Sequence, residues 1–90
     1  MEVIAKITKC NAPAGGQRSD GTEWRRSSVI VTYGEFEDKK FELTCWKDTE
    51  SFDRLPMNTP IRFRFDLWSR EYNGRWYTEA RAHSWEVLQY

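Results

Sequence analysis

Five stretches of this chain carry the marks of strands, and most show them as strict alternation of apolar and polar side chains. Residues 2 to 10 put Val3, Ala5 and Ile7 on one side. Residues 24 to 33 resume the extended pattern after a long polar break. Residues 39 to 46 separate Phe41, Leu43 and Cys45 from Glu42, Thr44 and Trp46. From Ile61 the alternation is cleanest, with Ile61, Phe63, Phe65 and Leu67 facing one way and Arg62, Arg64, Asp66, Trp68 and Arg70 the other. Trp76, Thr78, Ala80 and Ala82 then continue the apolar side, which leaves Arg75, Tyr77, Glu79, Arg81, His83 and Trp85 outward, with room for a bulge near the end.

Between the third and fourth stretches the period changes. Asp48 can accept a hydrogen bond from the free N–H groups of a following turn, Phe52 and Leu55 share one helical face, and Pro56 ends the segment. A short helix is predicted there. Gly34 to Asp38 form a turn. Asn11 to Glu23, with Pro13, Gly15, Gly16 and Gly21, form a loop whose length is uncommon without a functional or flexible role.

Asn73-Gly74 is the sharpest local signal, because a two-residue type I′ hairpin turn needs positive φ at both central positions. Such a turn also fixes the register. Paired residue numbers sum to 147, so Tyr72 faces Arg75, Arg70 faces Tyr77 and Asp66 faces Arg81. The predicted order β-β-β-α-β-β, with one short helix between the third and fourth strands, is that of an all-β, five-stranded OB-fold barrel spanning residues 1–90 as one domain. An SH3-like barrel lacks a helix at that place.

Composition narrows the function. The chain has 90 residues, 14 basic and 14 acidic, with 16% aromatics. The charge is spread: +2 over residues 1–32 (5 − 3), −3 over 33–60 (4 − 7) and +1 over 61–90 (5 − 4). Cys10 and Cys45 are too isolated for a disulfide framework and read as buried thiols of a cytoplasmic protein. The sequence shows neither a leader-like start nor an apolar run long enough for a membrane span, so no membrane role is expected.

Catalysis finds no constellation: one histidine, His83, and two scattered cysteines make neither a nucleophile–base pair nor a zinc site, so no enzyme, metal or cofactor is expected. Gly15-Gly16 lacks the Lys-Ser/Thr ending and long helix of a phosphate-binding loop. Single-stranded nucleic acid is the better match. Such ligands are held by aromatic faces that stack on bases beside cations that track phosphates. The candidates are Trp24, Arg26 and Trp46 on the second and third strands, and Trp68, Arg70, Tyr72, Arg75 and Tyr77 on the hairpin, with Arg18 at the rim.

Each candidate has a structural alternative. Trp24 and Trp46 could pack a barrel end, Arg70 and Tyr77 could form a cross-strand cation–π pair, and Asp66 could neutralise Arg81. The outward aromatics could equally form a homo-oligomer or docking interface. Neutral net charge favours moderate affinity or an oligomer that aligns several arginines. Contact with roughly four phosphates of a single strand would give a log-log salt slope near −3.

Three segments together resemble a family of small bacterial and phage proteins of formally unknown function: Gly21-Thr22-Glu23-Trp24-Arg25-Arg26, Phe41 to Asp48 (FELTCWKD), and Ser69 to Thr78 (SREYNGRWYT). The resemblance runs over nearly the whole chain, and the last segment is its most specific part. It implies an OB-fold similar to single-stranded DNA-binding proteins, hence DNA as partner, with RNA left open. Gly34-Glu35-Phe36-Glu37-Asp38 departs from the pattern, where a proline and fewer acids are expected, and its acidity argues against a nucleic-acid contact at that turn.

Overall fold

The computed structural model describes residues 1–88. Its strands are β1 (Glu2–Cys10), β2 (Ala14–Gln17), β3 (Glu23–Tyr33), β4 (Lys39–Cys45), β5 (Ile61–Tyr72) and β6 (Arg75–Val87), and helix α1 spans Thr49–Asp53 between β4 and β5. β1 pairs with both β3 and β5, β3 with β4, β4 with β6 and β6 with β5, so the five long strands pair in a ring. All of these ladders are antiparallel except the short one between β4 and β6, where Leu43 lies beside Ala80 and Thr44 beside Arg81. This is the expected OB-fold arrangement.

The alternation explains the core. Ala5 and Ile7 of β1, Val29 and Val31 of β3, Leu43 and Cys45 of β4, Ile61, Phe63 and Phe65 of β5, and Ala80 and Ala82 of β6 all turn inward and are buried. Phe52 of α1 closes one end of the ring, with its ring centroid 6.5 Å from Phe63 and 5.2 Å from Trp85. Burying such an aromatic removes 150–250 Å² from water, which is enough to fix a five-residue helix that has no stability of its own.

Several expectations need correction. The segment 11–23 is not all loop: β2 folds back on β3, pairing Ala14 with Arg26 and Gly16 with Trp24. Asp48 does not cap α1 through its side chain. It sits at φ 56°, and its backbone carbonyl accepts from the Phe52 N–H instead. Of the two thiols only Cys45 is buried, while Cys10 is exposed with its Sγ 3.5 Å from Met57 Sδ.

The hairpin register is as expected, with Tyr72 opposite Arg75, Arg70 opposite Tyr77 and Asp66 opposite Arg81, and Asn73 and Gly74 have φ of 51° and 77°. A bulge then intervenes: Phe65 faces Ala82, but Arg64 faces Ser84. The extra residue reverses the phase beyond it. Trp85 therefore joins the core periphery beside Phe52 rather than facing outward, and its Nε1 donates to Ser51 Oγ at 3.3 Å. Leu67 and Trp76 keep the predicted phase yet are not buried, being 53% and 69% exposed. Beyond Leu67, whose partner Ala80 also lies beside Leu43 of β4, the hairpin runs past the ring as a two-stranded arm, so its inner face has no core to meet.

Candidate nucleic-acid interface

One outer face gathers side chains from four strands. Trp24 is the second residue of β3, Trp46 follows β4, Arg81 lies on β6 and Trp68 on β5. The Trp24 and Trp46 rings are 5.8 Å apart at 35°, and the Arg81 guanidinium lies 5.0 Å from the Trp46 ring and 4.8 Å from that of Trp68. The result is a stack in the order Trp24, Trp46, Arg81, Trp68. Arg26 adds a second cation 5.9 Å from the Trp46 ring.

Polar contacts fix this stack. Glu79 Oε1 accepts hydrogen bonds from Trp46 Nε1 at 2.7 Å, Arg81 Nε at 2.7 Å and Thr44 Oγ1 at 2.9 Å. Partial burial alone would raise the Glu79 pKa, but the three donors and the Arg81 charge outweigh it and hold the carboxyl below its ordinary value. Arg26 pairs with Glu42 at 3.4 Å, and the Asn11 amide donates to the other Glu42 oxygen at 3.2 Å. On the far side Gly16 sits against Trp24. A Cβ there would lie 3.1 Å from Trp24 Nε1, so the absence of a side chain lets β2 approach the indole.

A groove of about 910 Å³ opens beside the stack. Its apolar floor includes Val3, Tyr33, Phe41, Phe65 and Leu67, and Arg26, Trp46, Trp68, Arg70, Tyr77 and Arg81 stand along it. The eight sequence candidates therefore fall into three places. Trp24, Arg26, Trp46 and Trp68 belong to the stack, Arg70 and Tyr77 lie on the arm beside the groove, and Tyr72 and Arg75 lie at the arm's tip.

Two expected pairings are absent as side-chain contacts. Asp66 and Arg81 are ladder partners, yet Arg81 bonds Glu79 in cis, and Asp66 has His83 Nε2 at 3.9 Å. The structure offers Arg81 a carboxylate at 2.7 Å and two indole faces, which the cross-strand aspartate does not match. Arg70 and Tyr77 are likewise ladder partners without a cation–π contact among the described residues. Arg70 and Arg75 have no carboxylate within 4.0 Å among the described residues, which leaves both charges available to a ligand.

Arg81 and Glu79 are the residues that sequence reasoning missed. Their roles depend on the parallel contact between β4 and β6, which closes the ring without any local turn signal. Among the described residues no three His, Cys, Asp or Glu side chains group to hold a metal ion, and no helix is long and apolar enough to cross a membrane.

Five strands paired in a ring with one short helix between β4 and β5 define an OB-fold, and solved structures agree. The fold is similar to the second OB-fold domain of replication protein A from Methanococcus maripaludis, with a TM-score of 0.69 at 13% identity over 99% of this chain and 83% of that one. It is equally similar to the mitochondrial single-stranded DNA-binding protein Rim1 from S. cerevisiae, with a TM-score of 0.69 at 8% identity over 99% and 94% of the two chains. The chain belongs to the family described as domain of unknown function DUF3127, whose model matches residues 2–87. No curated protein matches it in sequence.

Proposed function

We propose that this OB-fold is a non-enzymatic module that binds single-stranded DNA across the stack and along the arm. The observation that carries the reading is the Trp24–Trp46–Arg81–Trp68 stack, held by Glu79 and bordered by the groove. Single-strand binding needs aromatic faces already oriented for bases, with cations beside them. Trp68, at 55% exposure, is the most open indole of the stack and serves as its stacking surface. Trp46, enclosed by Trp24, Arg26 and Arg81, serves as the hub that holds the others in place. The two similar structures support the reading, since one is named as a single-stranded DNA-binding protein and the other as part of replication protein A.

The ion pairs refine the electrostatics. Arg26 and Arg81 are already paired with carboxylates and act mainly through their planar faces, while Arg70 and Arg75 supply the phosphate contacts. Two phosphate contacts on a single strand correspond to a log-log salt slope of about −1.4.

Titration of tryptophan emission with oligo-dT at two salt concentrations tests the proposal. Quenching with a slope between about −1 and −2 is expected. No quenching at low salt and high micromolar protein would contradict it. An equal response to oligo-U would extend the ligand class to single strands of either sugar.

A further inference from the structure

The arm has a free strand edge whose side chains are complementary to themselves. β1 accompanies β5 only as far as Glu2 beside Arg64, followed by the Phe65 N–H donating to the Met1 carbonyl at 2.9 Å. From Asp66 to Tyr72 that side of β5 has no neighbouring strand among the described residues. Its seven residues read Asp-Leu-Trp-Ser-Arg-Glu-Tyr. An unpaired edge of this length is a template for another strand, and a two-stranded ribbon gains stability when a third strand joins it.

We propose that a second copy of this chain pairs antiparallel along this edge, β5 against β5, with Ser69 on the two-fold axis. Isologous pairing makes each contact occur twice. In this register residue numbers sum to 138. Trp68 faces Arg70 of the second copy, Asp66 faces Tyr72, and the diagonal neighbour of Asp66 is again Arg70. Each arginine thus meets an indole and a carboxylate, the contacts that it lacks within its own chain. Centring the pairing on Arg70 instead would oppose the two Arg70 side chains, and centring it on Trp68, which also sets Asp66 opposite Arg70, would pair only five residues of each strand because Phe65 is already bonded to Met1.

Full use of the free edge, together with the charge pattern, favours the register centred on Ser69. The two arms become a four-stranded ribbon, and because the axis is perpendicular to it, the faces bearing Trp68, Arg70 and Tyr77 lie on the same side. The aromatic faces of the two copies become one longer surface, on which Arg75 of each copy stays free for phosphate while Arg70 serves the contact between the copies. A contact of seven residues per strand is below the roughly 1,200 Å² of a stable interface, so the association is weak and concentration-dependent.

The test needs no nucleic acid, so its outcome is separate from that of DNA binding. Opposed Cβ atoms in an antiparallel pair lie about 4.5–5.5 Å apart, so a small closing movement of the two strands brings them to the roughly 3.5–4.5 Å that a disulfide spans. Ser69→Cys and Thr78→Cys are each made with Cys10→Ser, and mass is followed by light scattering from about 10 µM to 1 mM. Ser69 and Thr78 share one rung of the arm, with their hydroxyls 2.9 Å apart, so both variants perturb the arm alike. The expected result is a rise in mass toward the dimer and oxidation of Ser69→Cys to a covalent dimer at least tenfold faster than Thr78→Cys. Monomer throughout, or cross-linking of Ser69→Cys no faster than that of Thr78→Cys, would overturn the proposal.

Discussion

The ring and the arm are built from one continuous pair of strands, yet they obey different rules. In β5 and β6, residues 61–65 and 80–87 alternate against a core, and Ile61 and Phe63 are wholly buried. The same alternation continues in Leu67, at the open end of the ring, and in Trp76 on the arm, and both stay exposed. The ring is held by apolar contact. The arm is held by its ladder and its turn, with Trp68 stacked on Arg81 at its base, and its remaining side chains are available to something else. Alternation in a sequence therefore reports which side a residue faces, and burial depends on whether another strand lies across from that side.

The largest expected difference between the two regions is in stability. Phe63→Ala should cost about 3–5 kcal/mol, because it removes a fully buried aromatic ring that packs on Phe52. Trp76→Ala, an equally drastic truncation on the arm, should change stability by no more than about 0.5 kcal/mol. Parallel denaturant titrations check this, and a loss of more than 1.5 kcal/mol at Trp76 would mean that the arm is packed against the body.

Binding should show the reverse order. Trp68→Ala should weaken oligo-dT binding by about 1–3 kcal/mol, roughly 5- to 150-fold, while leaving the denaturation midpoint nearly unchanged. Trp46→Ala should lower both, since its indole joins Trp24, Arg81 and the Glu79 carboxylate. Equal effects of the two substitutions on stability would remove the distinction between hub and platform.

Much of the ring was legible from sequence, and the reason is local. Strand phase, the helix around Phe52 and the type I′ turn at Asn73-Gly74 all follow from short-range rules. The bulge at His83 breaks such a rule by one residue, which was enough to send Trp85 to the core side rather than outward. The stack was legible only in part. Trp24, Arg26, Trp46 and Trp68 could be named from their aromatic and cationic character. Arg81 was assigned to Asp66 because the antiparallel register was visible, whereas the parallel contact that brings Trp46 and Glu79 to it was not. β2 was missed because Ala14-Gly15-Gly16-Gln17 carries no strand signal and pairs only because Trp24 can lie over a glycine backbone.

The joint between ring and arm predicts a pH effect. Glu79 is held below its ordinary pKa, so it binds fewer protons folded than unfolded, and the stability it contributes is present above its unfolded value near 4.3. That contribution is lost as pH falls through the lower folded value. Glu79→Gln should reduce stability at pH 7 by about 1–2 kcal/mol and flatten the decline below pH 4. An unchanged acid limb would indicate that other carboxylates dominate it.

The smallest effect concerns the thiols. Burial pushes the Cys45 thiol up to about 11, while Cys10 is exposed. In the native protein at pH 8 an aromatic disulfide reagent should titrate one thiol promptly and the second only on unfolding. Prompt reaction of both would show that the end of β4 opens readily.

The central claim is that a single strand lies on the stack, and the indole N–H resonances of the five tryptophans test it most directly. Trp24, Trp46 and Trp68 form the proposed surface, whereas Trp85 is packed against Phe52 on α1 and serves as an internal control. On addition of oligo-dT the first three should shift, Trp68 the most, while Trp85 stays in place. Shifts confined to Trp85 and Trp76, or none at saturating oligonucleotide, would contradict the account.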